Sequence, residues 1–144
     1  MIDTPQFLLT PGLWLGEGKI TLSTSPEELR FYTKWEIEQV TPTSLKALQL
    51  VEIEGVKGQL INRFYIDGIT AEGFEVWLEN EHIKLVQGAG NITPSSISWE
   101  FHTADILIGA ETYLKQSNGD YLLTAEYVSA SHRTHISGHL WRKT

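Results

Sequence analysis

The 144-residue chain contains no cysteine and only one methionine. Disulfides, thiolate nucleophiles and thiolate metal sites are thereby excluded. A small domain without disulfide staples suits a reducing compartment, so the cytoplasm is the expected location. Basic residues are scarce: 11 Lys+Arg stand against 18 Asp+Glu, for a net charge of -7. Such a surface repels a phosphate backbone, and nucleic acid is not an expected partner. No segment approaches the roughly 20 apolar residues of a membrane-spanning helix. The start, "MIDTPQFLLT", places an acid where a secretory signal wants basic residues. Standard catalytic signatures are missing too, with no Gly-x-Ser-x-Gly elbow, Walker loop or His-Glu-x-x-His. The "GAG" at Gly88 to Gly90 lacks the strand-loop-helix setting of a phosphate loop. These absences point away from an enzyme.

What is present is alternation with period two, over one domain spanning residues 1–144. "LRFYTKWEI" puts Leu29, Phe31, Thr33, Trp35 and Ile37 on one face, and "SLKALQLVEI" does the same with Leu45, Ala47, Gln49, Val51 and Ile53. "QLINRFYIDG", "GFEVWLEN", "HIKLVQG", "SSISWEF", "DILIGAETYLKQ", "DYLLTAEYVSA" and "THISGHLWR" follow, separated by Asp, Asn, Gly and Ser turn chemistry. Asn118-Gly119 in "SNGD" predicts a tight hairpin with positive φ at both positions. Ser25, Pro26 and the acids behind them predict at most one short helical turn near residues 26–29. About ten short strands indicate a closed, antiparallel up-and-down β-barrel, because a long open sheet leaves edges that aggregate.

The stretch "TPGLWLGEGKI" adds detail. Gly12, Trp14, Gly16 and Gly18 share one parity, and glycine within a strand marks a bend or a close backbone approach. Trp14 is then expected to plug the barrel floor, with Arg142 of the last strand covering its indole. The run Gly12, Trp14, Arg142, together with the strand number, resembles the calycin superfamily of lipocalins and fatty-acid-binding proteins. In that family the Gly-x-Trp tryptophan packs against an arginine from the chain's end. Within it, Gly12, Trp14, Gly16 and Gly18 resemble the first strand of nitrobindins, which bind heme. That resemblance implies a possible heme, ligated by His135 on the last strand, or else His139, and chemistry on reactive nitrogen or oxygen species. The segments "KITLSTSPEEL" and onward depart from the nitrobindin pattern.

Three constellations are candidates for a site. The histidines crowd into "SHRTHISGH", but on a strand His132 and His135 face opposite ways. His135 and His139 lie roughly 13 Å apart, too far to share a zinc ion without His102 or His82, so no metal is expected. Arg63 and Tyr65 share parity with Gln59 and Ile61; if that face is inward, they form a carboxylate-reading pair similar to that of fatty-acid-binding proteins. The other face, with Leu60, Phe64 and Ile66, is at least as apolar, and its burial would leave Arg63 in solvent. Finally, Trp35, Trp77, Trp99, Phe31, Phe74, Phe101 and Tyr113 either fill a core or line an apolar cavity. Glu111 in "GAETYL" is a further candidate, an inward acid with no evident partner. The expected function is non-enzymatic binding of a small hydrophobic or amphipathic molecule in the lumen, with Arg63, Tyr65, Trp99, Phe101 and Tyr113 as ligand contacts and no resident cofactor. A ligand-free interaction module is the alternative that the acidic surface would suit.

Overall fold

The alternating segments all become strands. The structure, a computed structural model, describes residues 7–81, 84–103, 106–129 and 132–143. The order is β1 (Gly12–Leu22), β2 (Glu28–Thr41), β3 (Ser44–Ile53), β4 (Leu60–Asp67), β5 (Gly73–Glu79), β6 (Val86–Thr93), β7 (Ser96–Thr103), β8 (Ile106–Lys115), β9 (Tyr121–Val128) and β10 (Arg133–Arg142). Each strand pairs antiparallel with its sequence neighbours, and β1 pairs with β10 to close the barrel. The closed, antiparallel up-and-down barrel of ten strands is the architecture that the alternation leads one to expect. Among the described residues no helix is long and apolar enough to cross a membrane.

Period two sets which side chains enter the barrel. Phe31, Thr33, Trp35 and Ile37 of β2 are buried, while Tyr32 and Glu36 between them are exposed. The same holds for Leu45, Ala47 and Gln49 on β3, and for Phe74, Val76 and Leu78 on β5. Trp77 sits between Val76 and Leu78 and so belongs to the outer face.

No helical turn forms at residues 26–29. The Glu27 amide donates to Ser25 Oγ at 3.2 Å, and β2 is under way at Glu28. The serine thus closes a turn, since too few residues remain before the β2 alternation for a helix to nucleate. The "SNGD" hairpin differs from expectation. Gly119 has φ 90°, but Asn118 does not enter the positive-φ region. The Gly119 amide donates to Gln116 O at 3.0 Å and the Gln116 amide to Asp120 O at 2.7 Å, so the loop is longer than a two-residue turn and needs one left-handed position.

One end of the barrel is filled. Trp14 is buried and stands opposite Arg142 in the β1–β10 register, with the guanidinium carbon 6.0 Å from the indole centroid. Arg142 Nη2 also donates to Pro11 O at 3.2 Å. The deeper plug is Phe7, which no sequence pattern marks. Its ring is fully buried against Trp14, Trp35, Tyr113 and Tyr121, at centroid distances from 4.6 to 6.0 Å. Its amide donates to the Tyr121 hydroxyl oxygen at 3.0 Å. Trp35, Phe64 and Trp99 complete the layer above, in edge and tilted contacts.

Gly16 and Gly18 of β1 serve close approach. A Cβ at Gly18 would collide with Ser137 O and with the Cα of Gly138, its register partner on β10. Neither residue has positive φ, so the requirement is for space and not for backbone freedom. Trp14→Ala is expected to cost about 3–5 kcal/mol, as for other buried aromatics. Urea unfolding measures this directly, and a loss below about 1 kcal/mol would mean that the indole carries little of the floor.

Candidate functional site: the open end of the lumen

Among the described residues the end opposite Trp14 is not filled. A cavity of ≈ 340 Å³ opens there, lined on the barrel wall by Leu78, Val86, Phe101, Ile108, Tyr127 and Thr134. Val128, Ser129 and His132 form its rim, where β9 turns into β10. Its wall is therefore drawn from six strands and is mainly apolar. A groove of similar size, ≈ 310 Å³, lies elsewhere and includes Glu17, Lys19, Arg30, Tyr32 and His139. Those are charged and outward positions of β1, β2 and β10, so that groove is a surface feature of the wall.

Behind Tyr127, which lines the cavity, sits a buried carboxyl. Glu111 of β8 is only 7% exposed and accepts a hydrogen bond from the Tyr113 hydroxyl at 2.7 Å on Oε1. The Tyr127 hydroxyl donates to its other oxygen, Oε2. The Trp99 indole N–H lies near enough to favour the ionised carboxyl, although short of hydrogen-bond geometry. Among the described residues no Lys, Arg or His forms an ion pair with Glu111. Burial pushes its pKa up from the ordinary 4.5, and the three donors only partly oppose this. The Tyr113 and Tyr127 phenols are raised well above 10.0, first by burial and then by the adjacent carboxyl, so both keep their protons.

A glycine makes this arrangement possible. Gly109 is the register partner of both Phe101 and Tyr127. A Cβ there would collide with the Tyr127 ring. The bare wall lets that ring lie across β8 and reach Glu111, one inward position further along the strand. The opposite wall carries a separate polar chain. Asn80 Nδ2 donates to Asn62 (2.8 Å), Asn62 Nδ2 to Gln49 (2.9 Å), Gln49 Nε2 to Thr33 Oγ1 (3.1 Å), and Thr33 Oγ1 to Leu50 O (3.0 Å). These groups satisfy one another across β2, β3 and β4, which fixes the wall and leaves the cavity's polarity to the Glu111 side.

The expected site residues divide. Trp99, Phe101 and Tyr113 are inward and buried: Phe101 lines the cavity, Tyr113 holds Glu111, and Trp99 belongs to the filled layer beneath. Arg63 and Tyr65 do not face the lumen. Phe64 and Ile66 are the buried residues of β4, at 1% each, so the intervening side chains stand outside. Tyr65 is 40% exposed, and its hydroxyl donates to Glu79 Oε1 at 3.0 Å on the outer wall. His135 and His139 are likewise exposed, because Thr134, Ile136 and Leu140 take the inward parity of β10. His102 is exposed beside Glu100, and His82 lies outside the described residues. Among the described residues no three His, Asp or Glu side chains gather as a metal site. The sequence reading singled out Glu111 but missed Tyr127, whose parity with Ala125 and Leu123 was the available signal.

No protein-family profile and no curated protein matches the chain. Solved structures do share its fold. It is similar to the S-type phycobiliprotein lyase CPES from Guillardia theta, with a TM-score of 0.70 at 6% identity, over 94% of this chain and 89% of that one. It is also similar to Rv2717c from M. tuberculosis, with a TM-score of 0.68 at 14% identity, over 93% and 92% of the two chains. At these identities the likeness is one of architecture.

The buried carboxyl gives a pH signature. A raised pKa in the folded state means that ionising Glu111 costs stability, so stability is full below the ordinary carboxylate range and falls as pH rises through the raised value. Glu111→Gln cannot ionise. Relative to this variant, the wild type should lose stability steadily as urea unfolding is repeated from pH 4.5 upward. A pH-independent difference would show that Glu111 is not desolvated.

Proposed function

We propose that this protein is a non-enzymatic binding barrel that holds a small hydrophobic or amphipathic molecule at the open end of its lumen. The observation that carries the reading is the apolar cavity of ≈ 340 Å³ between β5 and β10, with Tyr127 as a polar group at its inner side. Its volume falls within the range of small-molecule sites, and so does its composition of apolar walls with few polar groups. The strand number supports it as well, since a barrel of this size has room beyond what its side chains fill. Here the largest aromatic residues pack toward the Trp14 end, and the cavity lies beside Phe101. The Guillardia theta protein is a phycobiliprotein lyase in its own right, and what carries over is a scaffold compatible with such use.

Titration with the neutral apolar fluorophore N-phenyl-1-naphthylamine tests this. Saturable fluorescence enhancement is expected, and Thr134→Trp, which places an indole in the mouth, should weaken it by at least about tenfold, or 1.4 kcal/mol. Enhancement that does not saturate, or that Thr134→Trp leaves unchanged, would contradict the proposal.

A further inference from the structure

We infer that the lumen selects ligands bearing a cationic or N–H-donating nitrogen and discriminates against carboxylates, with Glu111 and Tyr127 as the recognition pair. The inference rests on the binding reading above and adds the chemical class of the ligand.

The first ground is hydrogen-bond polarity. With Glu111 ionised, both nearby phenol protons are committed: Tyr113 donates to one carboxyl oxygen and Tyr127 to the other. Tyr127 lines the cavity, and with its proton spent its oxygen can only accept. The remaining lone pairs of the carboxylate are acceptors too. With Glu111 ionised, the Tyr127 oxygen beside the cavity is thus an acceptor, and a ligand carboxylate there would meet repulsion.

The second ground is charge. Glu111 carries no counter-ion among the described residues. The groups packed around it are Tyr113 on its own strand, Trp99 on β7, and Ala125 and Tyr127 on β9. A buried carboxylate without a cation is costly, and removing that cost is what a cationic ligand head would do. Arg63, the one arginine whose strand position suggested inward placement, stands outside. Among the described residues the only other titratable side chain lining the cavity is His132, at the rim, where Nδ1 meets Ser129 Oγ at 3.2 Å. The cavity thus has an acidic inner side and an apolar wall, which suits an alkyl or aryl amine or an amidine entering head first.

The third ground is geometry. Glu111 lies two residues along β8 from Gly109, roughly 7 Å deeper than the level where Tyr127 crosses the wall. A head group resting on the Tyr127 oxygen is within one small displacement of the carboxylate, and the bare Gly109 surface is what lets the phenol sit between them.

The test is displacement of N-phenyl-1-naphthylamine by dodecylammonium, dodecanol and dodecanoate at physiological salt, in the wild type and in Glu111→Gln. The expected order is dodecylammonium, then dodecanol, then dodecanoate, with the amine at least about tenfold better than the acid. In Glu111→Gln the amine's advantage should fall to about twofold or less. Dodecanoate equal to or better than dodecylammonium would overturn the inference, as would failure of all three to displace a bound fluorophore. An amine preference that survives in Glu111→Gln would assign it to the net negative surface and overturn the role of Glu111. These outcomes leave the binding reading intact, whereas a fluorophore that does not bind overturns both. The wild-type series needs no variant to fold, so it tests the predicted order of amine over acid by itself.

Discussion

The pairing of the first strand with the last is the constraint on which the rest depends. β1 and β10 run in register from Trp14 opposite Arg142 to Leu22 opposite Thr134. This seam leaves the sheet without an edge, so no row of backbone groups is offered to another chain. It demands that two strands from opposite ends of the sequence approach closely, and Gly18 and Gly138 face each other where they do. The same seam brings a guanidinium from the end of the chain over an indole from its start. Floor and closure are thus one feature.

Closure also fixes how the interior is divided. Inward residues near the Trp14 end are large and aromatic, and Phe7 enters from outside the strands to complete the layer. Toward the other end the inward positions are half-buried residues such as Val86, Ile108, Tyr127 and Thr134. Polar groups within the barrel are handled in two ways. The Thr33–Gln49–Asn62–Asn80 chain is self-satisfied, with each amide donating to the next. Glu111 is hydrogen-bonded on both oxygens but has no cationic partner among the described residues.

Much of the fold was legible because its signals are local. Alternation in "LRFYTKWEI" and "SLKALQLVEI" identified the inward sets of β2 and β3 directly, and the Gly-x-Trp run with Arg142 identified the floor. Legibility failed where both faces of a strand are similarly apolar. In "LINRFYID", Ile61 is half-buried on one parity while Phe64 and Ile66 are buried on the other, so parity alone could not place Arg63 and Tyr65. In β10, small or polar inward residues, Thr134 and Gly138, gave the histidines no contrast to be judged against. Phe7 was invisible since it precedes the alternating pattern. The Glu111–Tyr127 contact joins residues 16 apart through a glycine-lined wall, and no local rule encodes such a pairing.

The central claim is that the cavity at the Tyr127 end, and not the outer wall, is where a small molecule resides. Methyl-labelled NMR with an unlabelled neutral aromatic probe addresses it most directly. Intermolecular NOEs to the methyls of Leu78, Val86 and Ile108 are predicted, with none to Leu114 or Leu122, which are exposed on the outer face. NOEs confined to Leu114 and Leu122, or a probe that contacts no inward methyl, would contradict the account.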